Sequence, residues 1–172
     1  MTCQLFPYTG CVTDTRWLSE SEQRAWRAYL SVQAQLNARL ARQMQAESEL
    51  SLSDFEVLVH LTDTPNARVR AFELARLLQW EKSRLSHHLA RMQRRGLVDR
   101  EECPEDARGA FIVITPAGRA AIERAAPAHV EAVRQLVFDV LTGEQVEALR
   151  EICEQVLTRL ADEDPRAEVS GT

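Results

Sequence analysis

Trp26, Tyr29, Leu30, Leu36, Leu40 and Met44 recur at helical spacing, so one face of this stretch is apolar. Ser19-Glu20-Ser21-Glu22 stands in front of them as a capping box, with Ser19 as N-cap and Glu22 reaching back. The pattern predicts a first helix from about Glu20 to Glu47. Ser53-Asp54-Phe55-Glu56 repeats the box and opens a short helix through Leu58 and Leu61, which Thr64-Pro65-Asn66 ends. A third helix is expected from Ala71 to Leu78, buried through Phe72, Leu74, Leu77 and Leu78. A fourth begins near Lys82, after Gln79-Trp80-Glu81, and stops at Gly96, a C-cap glycine. Two short helices joined by a tight turn make a helix-turn-helix.

The period then changes. Leu97-Val98-Asp99-Arg100 and Phe111-Ile112-Val113-Ile114 are β-type runs, and Cys103 to Gly109 between them carries the Pro and Gly of a hairpin loop. Thr115-Pro116 is an N-cap with proline in the first turn, opening a helix towards Val140 that Pro127 bends or interrupts. Thr142-Gly143-Glu144-Gln145 is a further capping box, and Val146, Leu149, Cys153, Val156 and Leu160 step behind it like a coiled-coil seam. The expected fold is mainly α with a small β-hairpin wing: a winged helix-turn-helix with N- and C-terminal dimerisation helices. Its parts are an extension (1–18), a dimerisation helix (19–50), the winged module (51–115), two C-terminal helices (116–163) and a tail (164–172). The terminal apolar stripes are too long for the small middle module to cover, which calls for a second copy.

Charge sharpens the picture. The 172 residues carry a net charge of −5, which argues against indiscriminate coating of nucleic acid. Yet Lys82 to Arg100 holds six basic residues and one acidic residue, whereas Glu144 to Glu168 holds eight acidic and three basic. Two surfaces with different partners are expected. No apolar run approaches the ~18 residues that span a bilayer, and the N-terminus does not read as a signal peptide; a cytoplasmic protein is expected. The cysteines at 3, 11, 103 and 153 are scattered, and the adjacent His87 and His88 point about 100° apart on a helix. No metal, cofactor or enzyme is expected: Gly-rich phosphate loops and nucleophile elbows are missing.

With Leu85, Leu89 and Met92 turned inward, Ser83, His87, Arg91 and Arg94 fall on the opposite face, with Arg84 beside them and His88 and Arg95 on the flank. A solvated helix interleaves carboxylates with its cations, but none occurs from Lys82 to Gly96. Arginine forks match guanine acceptors, Ser and His reach bases or phosphates, and a helix fits the major groove. The DNA-contact candidates are therefore Ser83, Arg84, Ser86, His87, Arg91 and Arg94. Arg108 is placed in the hairpin loop for the neighbouring minor groove, with Asp106 orienting it. Arg70 and Arg68, before the third helix, are phosphate-contact candidates and equally readable as solvated loop charges.

These pieces, in this order, resemble the MarR family of bacterial transcriptional regulators. The likeness rests on Glu73-Leu74-Ala75, on Lys82-Ser83, Leu85-Ser86, Leu89 and Met92, on Gly96-Leu97-Val98 and Arg100, on Asp106 and Arg108, and on Thr115-Pro116-Ala117-Gly118. It runs from about Trp17 to Leu160. It implies a homodimer whose terminal helices interlock and a pair of winged modules on a pseudo-palindromic operator. It also implies a repressor released by a small phenolic or organic-acid effector or by cysteine oxidation. Asp106 and Arg108 match the family's wing motif, and the Ser83–Arg94 face its recognition contacts. Trp26, Arg27, Tyr29, Phe55 and His60 are the effector-pocket candidates, set against plain core packing for the aromatics and a satisfied histidine at 60. For redox sensing, Cys11 lies roughly where peroxide sensors carry their thiol. Cys103 sits among carboxylates that disfavour a thiolate, and Cys153 is expected in the buried seam. The alternatives to a ligand-responsive repressor are a redox-sensing regulator and a helical dimer that binds proteins instead of DNA.

Overall fold

The computed structural model describes residues 15–103 and 106–162, with the side chains of 103 and 106–109 outside the description. The chain falls into two units, Met1–Asn37 and Ala38–Thr172. Helix α1 (Glu20–Glu47) starts as predicted: the Ser19 N–H donates to Glu22 Oε2 at 2.7 Å and the Glu22 N–H to Ser19 Oγ at 3.3 Å. Within the first unit the rings of Trp26 and Tyr29 stack, 5.6 Å apart, and both remain exposed together with Leu30 and Val32. In the second unit Leu40 and Met44 are buried.

Helix α2 (Leu52–Thr62) begins two residues earlier than the Ser53 frame predicts. Ser51 is the N-cap and Asp54 fills the N3 place, accepting the Ser51 N–H at 2.9 Å while Ser51 Oγ accepts the Asp54 N–H at 3.1 Å. Ser51 with Asp54 and Ser53 with Glu56 have the same three-residue spacing, and the reciprocal bonds form in the first pair. After a 3-10 turn at Pro65–Ala67, Arg68–Arg70 forms strand β1, where the sequence suggested loop. Three residues are too few to show a period of two.

Helix α3 (Ala71–Leu77) buries Leu74 and Ala75. Phe72 is 56% and Leu77 48% exposed, against the expectation of burial. Phe72 lies about 200° round from Leu74, and Leu77 ends the helix. Helix α4 (Lys82–Arg94) follows, then strands β2 (Val98–Cys103) and β3 (Asp106–Ile114). The antiparallel sheet has the order β1-β3-β2, pairing Val69 with Ile112 and Val98 with Ile114. These four side chains form its buried face over Leu58, Leu61, Leu74 and Met92. The wing strands exceed the predicted runs because backbone pairing continues beyond the apolar positions, through Glu102 opposite Ala110.

Helix α5 (Pro116–Leu136) is capped by Thr115, whose Oγ accepts the Gly118 N–H at 2.9 Å, and continues through Pro127. A 3-10 turn at Phe138–Val140 leads to α6 (Gly143–Asp162), with the predicted Thr142–Gln145 box in place. Leu149, Ile152, Val156, Leu157 and Leu160 are exposed along α6. Cys153 is an exposed free thiol in the single chain.

Candidate nucleic-acid interface

Helix α4 is closed as its glycine predicts. Gly96 takes φ +71°, the Leu97 N–H donates to the Met92 carbonyl at 3.0 Å and the Gly96 N–H to that of Gln93 at 2.9 Å. This is the paired bonding of a Schellman end. Leu85, Leu89 and Met92 are buried, and Ser83, Arg84, Ser86, His87, Arg91 and Arg94 are all exposed on one carboxylate-free helix. The geometry is a cationic ridge held outward by an apolar keel.

The flank differs from the simple projection. His88 is only 6% and Asp54 2% exposed, and they meet: His88 Nε2 lies 3.0 Å from Asp54 Oδ1, off the direction of an ideal hydrogen bond. Arg95 donates to the other Asp54 oxygen at 2.7 Å and to the Glu49 carbonyl. Burial by itself would raise the Asp54 pKa. The contacts from His88, the Ser51 N–H, Arg95 and the Ser51 hydroxyl outweigh it and hold the carboxyl well below the usual range. Two ridge arginines are steered as well: Arg84 lies over the Trp80 ring at 4.2 Å, and Arg91 Nη2 is 2.9 Å from His88 Nδ1. Sequence reasoning missed Asp54, Trp80 and His88. The one available signal was Asp54 inside a capping motif, which explained it without a second partner.

Arg70 is half-buried on β1 with its guanidinium 5.2 Å from the Phe111 ring, and Arg68 covers the same ring at 4.1 Å while facing Glu101 at 3.6 Å. These are sheet residues, not solvated loop. A cleft of about 310 Å³ between the helix-turn-helix and the sheet brings Arg70, Lys82, Ser86 and Arg100 to one rim. The Asp106 and Arg108 backbones lie in β3; their side chains fall outside the description. Of the effector-pocket candidates, Trp26, Arg27 and Tyr29 are exposed in the first unit. In the second, Phe55 is buried with its ring 4.5 Å from that of His129, and His60 is half-buried. Burial depresses the His129 pKa. Cys3 and Cys11 lie outside the described residues, as does the Cys103 side chain. Among the described residues no cluster of His, Cys, Asp or Glu can hold a metal ion, and no helix is long and apolar enough to cross a membrane.

Three core helices, α2 to α4, with the basic α4 facing outward, and a three-stranded sheet define a winged helix-turn-helix. The chain belongs to the MarR family of transcriptional regulators: the family's model matches residues 48–109, and similarity to solved members extends over nearly the whole length. The MarR family regulator Sco3205 from Streptomyces coelicolor, solved in complex with DNA, is 40% identical. That match covers 92% of this chain and 97% of Sco3205, with a TM-score of 0.82. AbsC, another MarR family regulator from Streptomyces coelicolor, is 37% identical over 87% of this chain and 100% of its own, with a TM-score of 0.81. A mutant MarR from E. coli complexed with operator DNA shares the fold at 23% identity, 78% and 94% coverage and a TM-score of 0.70. Among curated proteins, none matches the chain.

Proposed function

We propose that this protein is a sequence-specific double-stranded DNA-binding transcriptional regulator, without enzymatic activity, acting in the cytoplasm as a homodimer on a pseudo-palindromic operator. The observation that carries the reading is the exposed ridge from Ser83 to Arg94, free of carboxylates and held outward by Leu85, Leu89 and Met92. The complex of Sco3205 with DNA supports it.

Arg91 and Arg94 read base edges in the major groove; Ser83, Arg84, Ser86 and His87 meet bases or phosphates. Arg70 contacts the backbone, and Arg108, oriented by Asp106, enters the minor groove. Residues 51–115 form the DNA-binding module, and 19–50 with 116–163 form the dimer. The exposed apolar side chains of α6 support that division. The regulator is a repressor relieved by a small phenolic or organic acid, with Trp26, Arg27, Tyr29, Phe55 and His60 as the candidate contacts; the exposed aromatic pair beside Arg27 supports this finer reading.

Capture of genomic fragments by the purified protein supplies the operator. Binding measured by mobility shift then weakens steeply as salt rises. Arg94→Ala costs about 1–3 kcal/mol on the operator, and Arg108→Ala weakens binding most where the flanks are A·T-rich. Unchanged operator affinity in both variants would refute the assigned reading surface.

A further inference from the structure

Arg91 does not hang free from α4. Its Nη2 lies 2.9 Å from Nδ1 of His88, almost one turn earlier. A guanidinium has donors only, so Nδ1 must accept; the imidazole is then neutral with its proton on Nε2, the nitrogen facing Asp54. The ring itself is fixed. It is buried, it forms a T-shaped pair with the Trp80 ring at a centroid distance of 5.2 Å, and Asp54 is in turn held by Ser51 and Arg95. An immobile acceptor inside the protein therefore aims at an exposed cation on the ridge. The bond engages one of five guanidinium N–H groups and leaves the rest open. A fork whose plane is already set loses less freedom when it docks on a guanine edge, and it discriminates more sharply against bases that need another approach.

We propose that His88 is a positioning residue for base recognition: as a neutral Nδ1 acceptor it fixes the direction in which Arg91 leaves α4, and so sets selectivity at the base pair that Arg91 reads. The inference rests on the assignment of Arg91 to a base contact. Its scope differs from that of Arg94, for which no such tether is present among the described residues.

The test uses the full-length protein, its captured operator and a set of duplexes with each base pair changed singly. Arg91→Ala first locates the base pair, where discrimination falls by about tenfold to a hundredfold. His88→Gln places an amide donor towards Asp54 but no acceptor at the Nδ1 position; His88→Asn places an oxygen near Nδ1. The expected result is that His88→Gln loses selectivity at the Arg91 base pair while binding random duplex with unchanged affinity and salt dependence, and that His88→Asn restores it. Full selectivity in His88→Gln, or a loss spread evenly over all positions and random duplex, overturns the positioning role. If Arg91→Ala flattens no base pair, the base contact itself is wrong and the inference falls with it. A measurement independent of His88 variants is nitrogen NMR of the free protein. There the Arg91 guanidinium, identified by its loss in Arg91→Ala, shows slowed rotation and His88 an unprotonated Nδ1. A freely rotating Arg91 guanidinium overturns the proposal.

Discussion

Replacing Asp54 by Asn keeps the shape of a 2% exposed side chain and removes its charge. The carboxylate serves three partners at once: the Ser51 N–H at 2.9 Å, Arg95 at 2.7 Å and His88 Nε2 at 3.0 Å. A hydrogen bond to a charged group contributes about 1.5–3 kcal/mol, and less here because the Arg95 side chain is 41% exposed and screened by solvent. The capping contact adds about 0.5–1 kcal/mol. One amide oxygen cannot serve all three, so Asp54→Asn is expected to destabilise by about 2–4 kcal/mol. For a chain of this length that lowers Tm by roughly 5–12 °C. The pH dependence fixes the cause. The native pKa of Asp54 is depressed, so its contribution is complete above the unfolded-chain value of about 4 and fades as pH falls below that. Urea unfolding of both proteins, at one fixed protein concentration because association shifts apparent stability, should show the full difference at pH 7 and a shrinking one below pH 4. A variant within 0.5 kcal/mol of the parent at pH 7 (about the noise of such extrapolations), or a gap that persists undiminished in acid, would refute the network.

Three further outcomes are expected. Gly118→Ala sets a Cβ 2.0 Å from the Leu97 carbonyl oxygen, so the start of α5 must move away from Leu97 at a cost of more than about 2 kcal/mol, read by thermal melting. Gln79→Gly relieves a left-handed residue at φ +53° in the turn between α3 and α4, and urea unfolding should show a gain of about 0.5–1 kcal/mol. Leu157→Glu puts a charge on the exposed face of α6, where the single chain leaves Leu157 62% exposed; sedimentation should show a shift from dimer to single chains without loss of helix content.

The capping boxes at Ser19 and Thr142, the glycine end of α4 and the inward Leu85-Leu89-Met92 keel were legible because each is a local pattern whose partners lie within a few residues. Strand β1 was not, since Val69 is a strand residue only by virtue of Ile112 across the sheet. The Asp54–His88 contact joins residues 34 positions apart on two helices, and the Arg95 side chain closes it from 41 positions away. Spacing along one helix put His88 on a flank; only the second helix decided that the flank was an interior. The exposed side chains of Phe72 and Leu77 show the reverse error, in which apolar character was taken for burial on a helix of seven residues.

A small knot of backbone joins three elements. Thr115 donates its hydroxyl to the Gly96 carbonyl at 2.6 Å and its N–H to that of Leu97 at 3.2 Å, while Gly118 lets the first turn of α5 rest against the same strand end. Hydrogen bonds thus tie the C-terminal end of α4 to the N-terminal end of α5, across the wing that separates them in sequence. On the proposed function, a tilt of α5 is expected to pass through these bonds to α4 and change the angle at which α4 meets a groove.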